Sequence, residues 1–133
     1  VDQAIYDKLL SIKPPNVHSL GKAANIGDYL FQADAFVLSS IYEGLPISLL
    51  ESLSIGLVPV CTAVGGVKDV VKEHIGFLSG EVSTVSFTDT LKKFISASQI
   101  EIDKKREACK ALFQNEYSME QCAEKYIKLY FNQ

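Results

Sequence analysis

Three short apolar runs, AFVLSS at 35–40, VPVCTA at 58–63 and GFLSG near 76–80, alternate with segments whose apolar residues recur at helical spacing. The connections between them are a few residues long. Strand and helix alternating at that interval build βαβ units, and βαβ units build a parallel sheet. The expected fold class is therefore α/β. The unbroken apolar character of AFVLSS fits a strand covered on both faces.

The remaining punctuation fills in the order. Residues 2–12 (DQAIYDKLLSI) space their apolar positions as a helix, which Pro14 and Pro15 stop. NVHSLG, closed by Gly21, reads as a short strand. Helices are expected around 25–33, at 46–56 and, short, near 67–73. After residue 83 the pattern is helical only, and Ser98-x-x-Glu101 and Ser118-x-x-Gln121 have capping-box spacing. No repeat, low-complexity tract or Gly/Ser-rich linker divides the chain.

At 133 residues the chain fits one domain and can bury roughly 65–70% of its unfolded surface. Its 47% apolar and 22% charged residues argue against disorder and against a fibrous protein. A net charge of -3 gives no chain-wide attraction for nucleic acid. No apolar run approaches the ~18–20 residues that cross a bilayer, and no leader opens the chain, so it is expected to be soluble and intracellular. Cys61, Cys109 and Cys122 form no C-x-x-C pair and are odd in number, which points to buried or idle thiols. The chain starts at Val1 with helical sequence and is expected to be a segment of something longer.

In an open parallel sheet the ligand crevice lies beyond the carboxyl ends of the strands, where helix N-termini point. Two loops run from a strand end into a helix start there: SSIYEGLP after the first run and AVGG after the second. Pro46 suits a helix's first turn, Gly44 permits close approach of backbone, and free N–H groups beside it make an anion or hydroxyl site. Gly65 and Gly66 repeat the arrangement on the next unit. Glu43 precedes the helix, whereas Glu51 lies roughly 7–8 Å up it, at ~1.5 Å per residue. Glycosidase pairs hold their carboxyl groups ~5–9.5 Å apart, so a hydrolase dyad requires converging side chains; gripping two parts of one long ligand fits better. Spacing alone equally allows two solvent-facing glutamates favoured by the helix macrodipole. Ile47, Leu49, Leu50, Leu53 and Ile55 are expected core. His18, His74 and Lys22 are read as packing or surface residues.

The ordered set Ser40-x-x-Glu43-Gly44-Leu45-Pro46-x-x-x-x-Glu51, then Gly56-x-x-Pro59-Val60 and Gly65-Gly66, resembles the donor-binding signature of retaining glycosyltransferases of the GT-B fold. These are the group 1 enzymes, many of which build bacterial lipopolysaccharide and capsule. NVHSLG, DYLFQADAFVLSS and the closing YSMEQCAEKYIKLY stand in family-like order, the last resembling a helix that crosses back towards the other domain.

The resemblance implies a Rossmann-like sheet flanked by helices, with a helical C-terminal segment, forming most of the second domain of a two-domain enzyme. It implies that Glu51 holds the ribose of a UDP- or GDP-sugar. Glu43, the catalytic candidate, and the backbone around Gly44, Leu45 and Pro46 would face hexose and diphosphate, with Gly65 and Gly66 bordering the sugar. No cofactor or metal is expected. Expected partners are the nucleotide sugar, an acceptor sugar or lipid-linked glycan and an N-terminal domain of the same chain; nucleic acid is not among them. The location would be cytoplasmic, with peripheral contact at the inner face of the membrane. Asp69 departs from the glutamate usual after the glycine pair, and the family's diphosphate-binding Arg and Lys fall upstream of the match. A non-catalytic nucleotide- or protein-binding module, or a sugar-nucleotide epimerase on the same scaffold, remains open.

Overall fold

A computed structural model describes residues 3–12 and 14–131. The elements run α1 (Gln3–Ile12), α2 (Ile26–Phe31), β1 (Ala35–Leu38), α3 (Ile47–Ser54), β2 (Val58–Thr62), α4 (Val67–Val70), β3 (Phe77–Ser79), α5 (Thr84–Ser96), α6 (Gln99–Leu112), a π turn at Phe113–Tyr117, and α7 (Met119–Phe131). The start assigned to the first helix at Asp2 lies outside the described residues. The three strands pair in parallel in the order β1-β2-β3, with Leu38 beside Cys61 and Cys61 beside Leu78. No helix among the described residues is long and apolar enough to cross a membrane.

β2 is the central strand, and all five of its residues are buried. Pro59 sits inside it because pairing to β3 begins only one residue later, at Val60 with Phe77. Gly76, just before β3, makes room for it: a Cβ there would strike the Pro59 ring and carbonyl. Alternation along the strands then sorts the faces. Cys61, Phe36, Leu38 and Leu78 point to one face, where they join Leu49 and Leu53 of α3, Val67 and Val70 of α4, Ile75, and Cys109 of α6. Each such large side chain withdrawn from water contributes roughly 1.5–3 kcal/mol. Phe77 points the other way and meets Phe94 of α5 edge-on, 5.8 Å between centroids.

Caps set the later helices. Ser83 Oγ accepts from Ser86 N–H to open α5, Ser98 Oγ accepts from Glu101 N–H to open α6, and Ser118 Oγ accepts from Gln121 N–H at the start of α7. Both expected capping positions are therefore used. Glu101 turns its carboxylate to Lys105, 3.6 Å away, forming an ion pair. The π turn, closed by Ser118 N–H donating to the Phe113 carbonyl, separates α6 from α7.

Three expectations are corrected. NVHSLG is not a strand: residues 16–21 are exposed and irregular, because a strand requires a ladder partner and the described sheet offers none there. His18 therefore lies on an exposed loop. AFVLSS is not covered on both faces; β1 is an edge strand with Val37 52% exposed. Ile47 is not core, being 74% exposed, while Leu49 and Leu53 are fully buried as expected and Leu50 and Ile55 are half-buried.

Candidate functional site

The loop 39–46 leaves β1 at the carboxyl edge of the sheet, and the loop 63–66 leaves β2 beside it. The two are joined. Gly66 N–H donates to the Gly44 carbonyl at 2.8 Å, and Thr62 Oγ1 donates to the Ser40 carbonyl at 2.5 Å. Gly65 holds φ +45, and a Cβ on it would collide with the Glu43 carbonyl oxygen. A left-handed backbone with no space for a side chain requires glycine. Gly66 is nearly as tight, since a Cβ would lie 2.8 Å from the Gly44 carbonyl oxygen. The glycine pair therefore lies directly beneath the Glu43–Gly44 turn and fixes it. The Gly66 N–H, expected to be free for a ligand, is committed to this contact, and α4 is a single turn.

Glu43 is half-buried, and Ser40 Oγ donates to its Oε1 at 2.6 Å. A hydroxyl donating to a carboxylate is among the stronger hydrogen bonds, and here it holds the side chain in one orientation. Although the Gly44 carbonyl is engaged by Gly66, a Cβ on Gly44 would meet nothing within 4 Å. Leu45 is 43% exposed. Pro46 is the N-cap of α3 rather than a residue of its first turn, with its carbonyl accepting from Leu49 N–H at 3.1 Å. Pro46 itself has no N–H, and among the described residues the N–H groups of Gly44, Leu45, Ile47 and Ser48 at this helix start have no backbone acceptor.

Glu51 stands farther along α3, exposed. Leu49, Ser52 and Leu53 take the inward face, and at 100° per residue Glu51 falls on the outward one with Ile47. Among the described residues no cation lies within 4 Å of either carboxylate, and nothing donates a hydrogen bond to the Glu51 side chain. The two glutamates do not touch. Glu43 lies in the loop before α3, clamped by Ser40, and Glu51 in the second turn of α3, open. Burial pushes the Cys61 thiol, behind this rim, up to about 12, against a smaller opposing effect of its backbone hydrogen bond with Leu38. His18, His74 and Lys22 are exposed, as expected, and none engages either carboxylate.

Two residues complete the rim: Ser40 stood in the sequence only as part of the signature, without a role, and Thr62 was not named. Ser40 orients Glu43, and Thr62 ties the ends of β1 and β2 together. The i, i+3 spacing of Ser40 and Glu43 was a usable signal; the pairing of Thr62 with Ser40 depends on strand register and was not.

A family model described as Glycosyl transferases group 1 matches residues 9–128. A glycogen synthase of Thermodesulfovibrio yellowstonii is 32% identical over 74% of this chain and 20% of that protein. An Escherichia coli UDP-Gal:alpha-D-GlcNAc-diphosphoundecaprenol alpha-1,3-galactosyltransferase is 30% identical over 85% of this chain and 29% of that protein. The chain thus spans under a third of the length of these relatives. Among solved structures, the catalytic domain of starch synthase IV from Arabidopsis thaliana superposes with a TM-score of 0.72 at 16% identity, over 98% of this chain and 29% of that one. That likeness is one of fold.

Proposed function

The chain belongs to the glycosyl transferases group 1 family, and from that membership we propose that it is the donor-binding part of a larger enzyme that moves a hexose from a nucleoside diphosphate sugar to an acceptor hydroxyl with retained configuration. The observation that carries this reading is the contrast at the rim. Glu43 is held in place by Ser40 while Glu51, one turn into α3, is exposed and its carboxylate has no hydrogen-bond or ion-pair partner among the described residues. A carboxylate accepts only, so it suits the paired hydroxyls of a ribose, each of which has a proton to give. Glu51 takes that role. Glu43 and the N–H groups of Gly44, Leu45 and Ile47 face the hexose and the phosphates, with Pro46 setting the start of α3 and Gly65 and Gly66 fixing the turn from below.

The chemical task is to stabilise an oxocarbenium-like centre and a departing diphosphate. N–H donors preset where phosphate charge develops supply part of that stabilisation without reorganising. The basic groups for the diphosphate come from a segment upstream of the matched residues, and the acceptor-binding surface from an N-terminal domain of the same polypeptide. The relatives' names support a polysaccharide or lipid-linked glycan as acceptor, since one is a glycogen synthase and another acts on a diphosphoundecaprenol-linked sugar. A lipid-linked acceptor would bring the cytoplasmic enzyme to the inner face of the membrane. No metal or cofactor is assigned a part in this scheme.

The test is Glu51→Gln in the full-length polypeptide, with donor affinity read by titration calorimetry. Hydrogen bonds to a charged group are each worth ~1.5–3 kcal/mol, so the UDP- or GDP-sugar should bind roughly ten- to a hundredfold more weakly. Unchanged affinity would remove Glu51 from the donor site.

A further inference from the structure

At the amino edge of the sheet, the opposite end of the strands from the rim, a cleft of about 360 Å³ lies between the segment after α4, the start of β3, the second half of α5 and the first turns of α6. Val71, Phe77 and Leu78 give it apolar walls. Its buried charge is Lys105, whose side chain is 8% exposed and whose ammonium stands 4.8 Å from the centre of the Phe77 ring. Among the described residues that ammonium makes one hydrogen bond, to the Glu73 carbonyl, while the Glu101 carboxylate at 3.6 Å attracts it from beyond hydrogen-bond reach. An ammonium has three protons to give. Two are therefore left without a protein acceptor, a costly condition for an ion withdrawn from bulk water, and the cleft that Lys105 lines is where an acceptor can enter. Lys72 and Lys93, both exposed, line the same cleft.

We propose that this cleft binds a small organic monocarboxylate, with its charged end on Lys105 and its apolar body against Val71, Phe77 and Leu78. A carboxylate only accepts, so it takes up the unused ammonium protons in charge-assisted hydrogen bonds. Three lysines and two glutamates line the cleft, which leaves one positive charge for one negative charge to balance. The apolar walls call for an organic body rather than a bare ion, and the volume lies at the small end of the ~300–1,000 Å³ range of small-molecule sites. Nothing in this assignment depends on the rim or on sugar transfer: the two sites lie at opposite edges of the sheet and share no residue.

Amide chemical shifts of the isotopically labelled full-length polypeptide test this, with benzoate and cyclohexanecarboxylate as probes. Both are expected to move the amides of Glu73, Gly76, Phe77 and Lys105 and to leave those of Gly44, Leu45 and Ile47 in place. Benzyl alcohol, which has the body without the charge, and inorganic phosphate, which has charge without the body, should leave the cleft amides still at the same concentration. Lys105→Met keeps the length of the side chain and removes its charge, and should weaken benzoate by more than about tenfold, the loss of hydrogen bonds to a charged group. Should circular dichroism show that variant unfolded, Lys72→Gln combined with Lys93→Gln decides, because both positions are exposed; the pair should weaken benzoate by about fivefold with the spectrum unaltered. Cleft amides unmoved by both carboxylates, equal shifts from benzyl alcohol or phosphate, or a folded variant of either kind that binds benzoate like the parent would each overturn the proposal.

Discussion

Ser40 and Glu43 form the one hydrogen bond between side chains in the loop between β1 and α3 among the described residues. The carboxylate is useful only if it points at its target, and the 2.6 Å bond from Ser40 Oγ is what restrains it. Ser40→Ala should leave the fold intact and lower transfer by the full-length enzyme about tenfold, near the low end of the ~1.5–3 kcal/mol range for a hydrogen bond to a charged group. Steady-state kinetics would check it, and activity equal to the parent would show that Glu43 is oriented by something else. The resemblance is what pointed to Glu43, Gly44 and Glu51, whereas the hydrogen bond between Ser40 and Glu43 emerged only with the turn geometry.

The cysteines permit a second prediction at this scale. Burial pushes Cys61 and Cys109 up to about 12, with Lys105 acting weakly in the opposite sense on Cys109. In the folded chain both stay protonated, so a thiol reagent at neutral pH should label the exposed Cys122 and spare the other two. Between the ordinary thiol range and about 12 the unfolded chain releases these protons while the native one keeps them. Stability is therefore complete below pH ~8.5 and falls as pH rises, by about 1.4 kcal/mol per pH unit per thiol. Cys61→Ala should reduce that alkaline slope in urea unfolding; an unchanged slope would show that Cys61 does not carry it.

At the scale of elements, the glycine pair is the device that turns two loops into one rim. Gly65→Ala sets a Cβ against the Glu43 carbonyl at a left-handed φ of +45, so the turn must move. A strained residue of this kind costs on the order of 1–3 kcal/mol, which should appear as a lower urea midpoint. Gly44→Ala is the contrast. Its Cβ would meet open space, so stability should stay within about 0.5 kcal/mol of the parent while donor affinity drops, because the ligand and the new methyl compete for the same place. Equal destabilisation by both substitutions would refute this division of labour. The sequence made the helices and central strands legible because 3.6-residue spacing and Ser caps are local. NVHSLG misled for the same reason: its composition is strand-like, but strand formation is decided by a partner elsewhere. Ile47 misled because an apolar residue at a helix start can equally line an open edge.

Among the described residues, edge strand β1 and the helices α2 and α7 are left open by the chain's own side chains. Val37 on edge strand β1 is half exposed, and α7 has no buried residue, carrying Tyr126 and Tyr130 stacked in the open. The rim has the same character. It offers N–H donors and two carboxylates, yet among the described residues no cation lies within 4 Å of either, so a diphosphate brought to Glu43 meets like charge. Unit charges 4 Å apart repel by ~1 kcal/mol in water and ~4 kcal/mol at the effective dielectric of a protein surface, comparable to what a few N–H groups return. The 133-residue chain alone should therefore bind UDP-sugars weakly and transfer nothing, whereas the full-length polypeptide should bind them firmly and transfer the sugar. Incubating each with labelled UDP-glucose, UDP-galactose and a panel of glycan acceptors separates the cases. Turnover by the short chain at the ~1–10³ s⁻¹ typical of enzymes would mean that the charge balance is met within these residues, and that the division of the site between two domains is wrong.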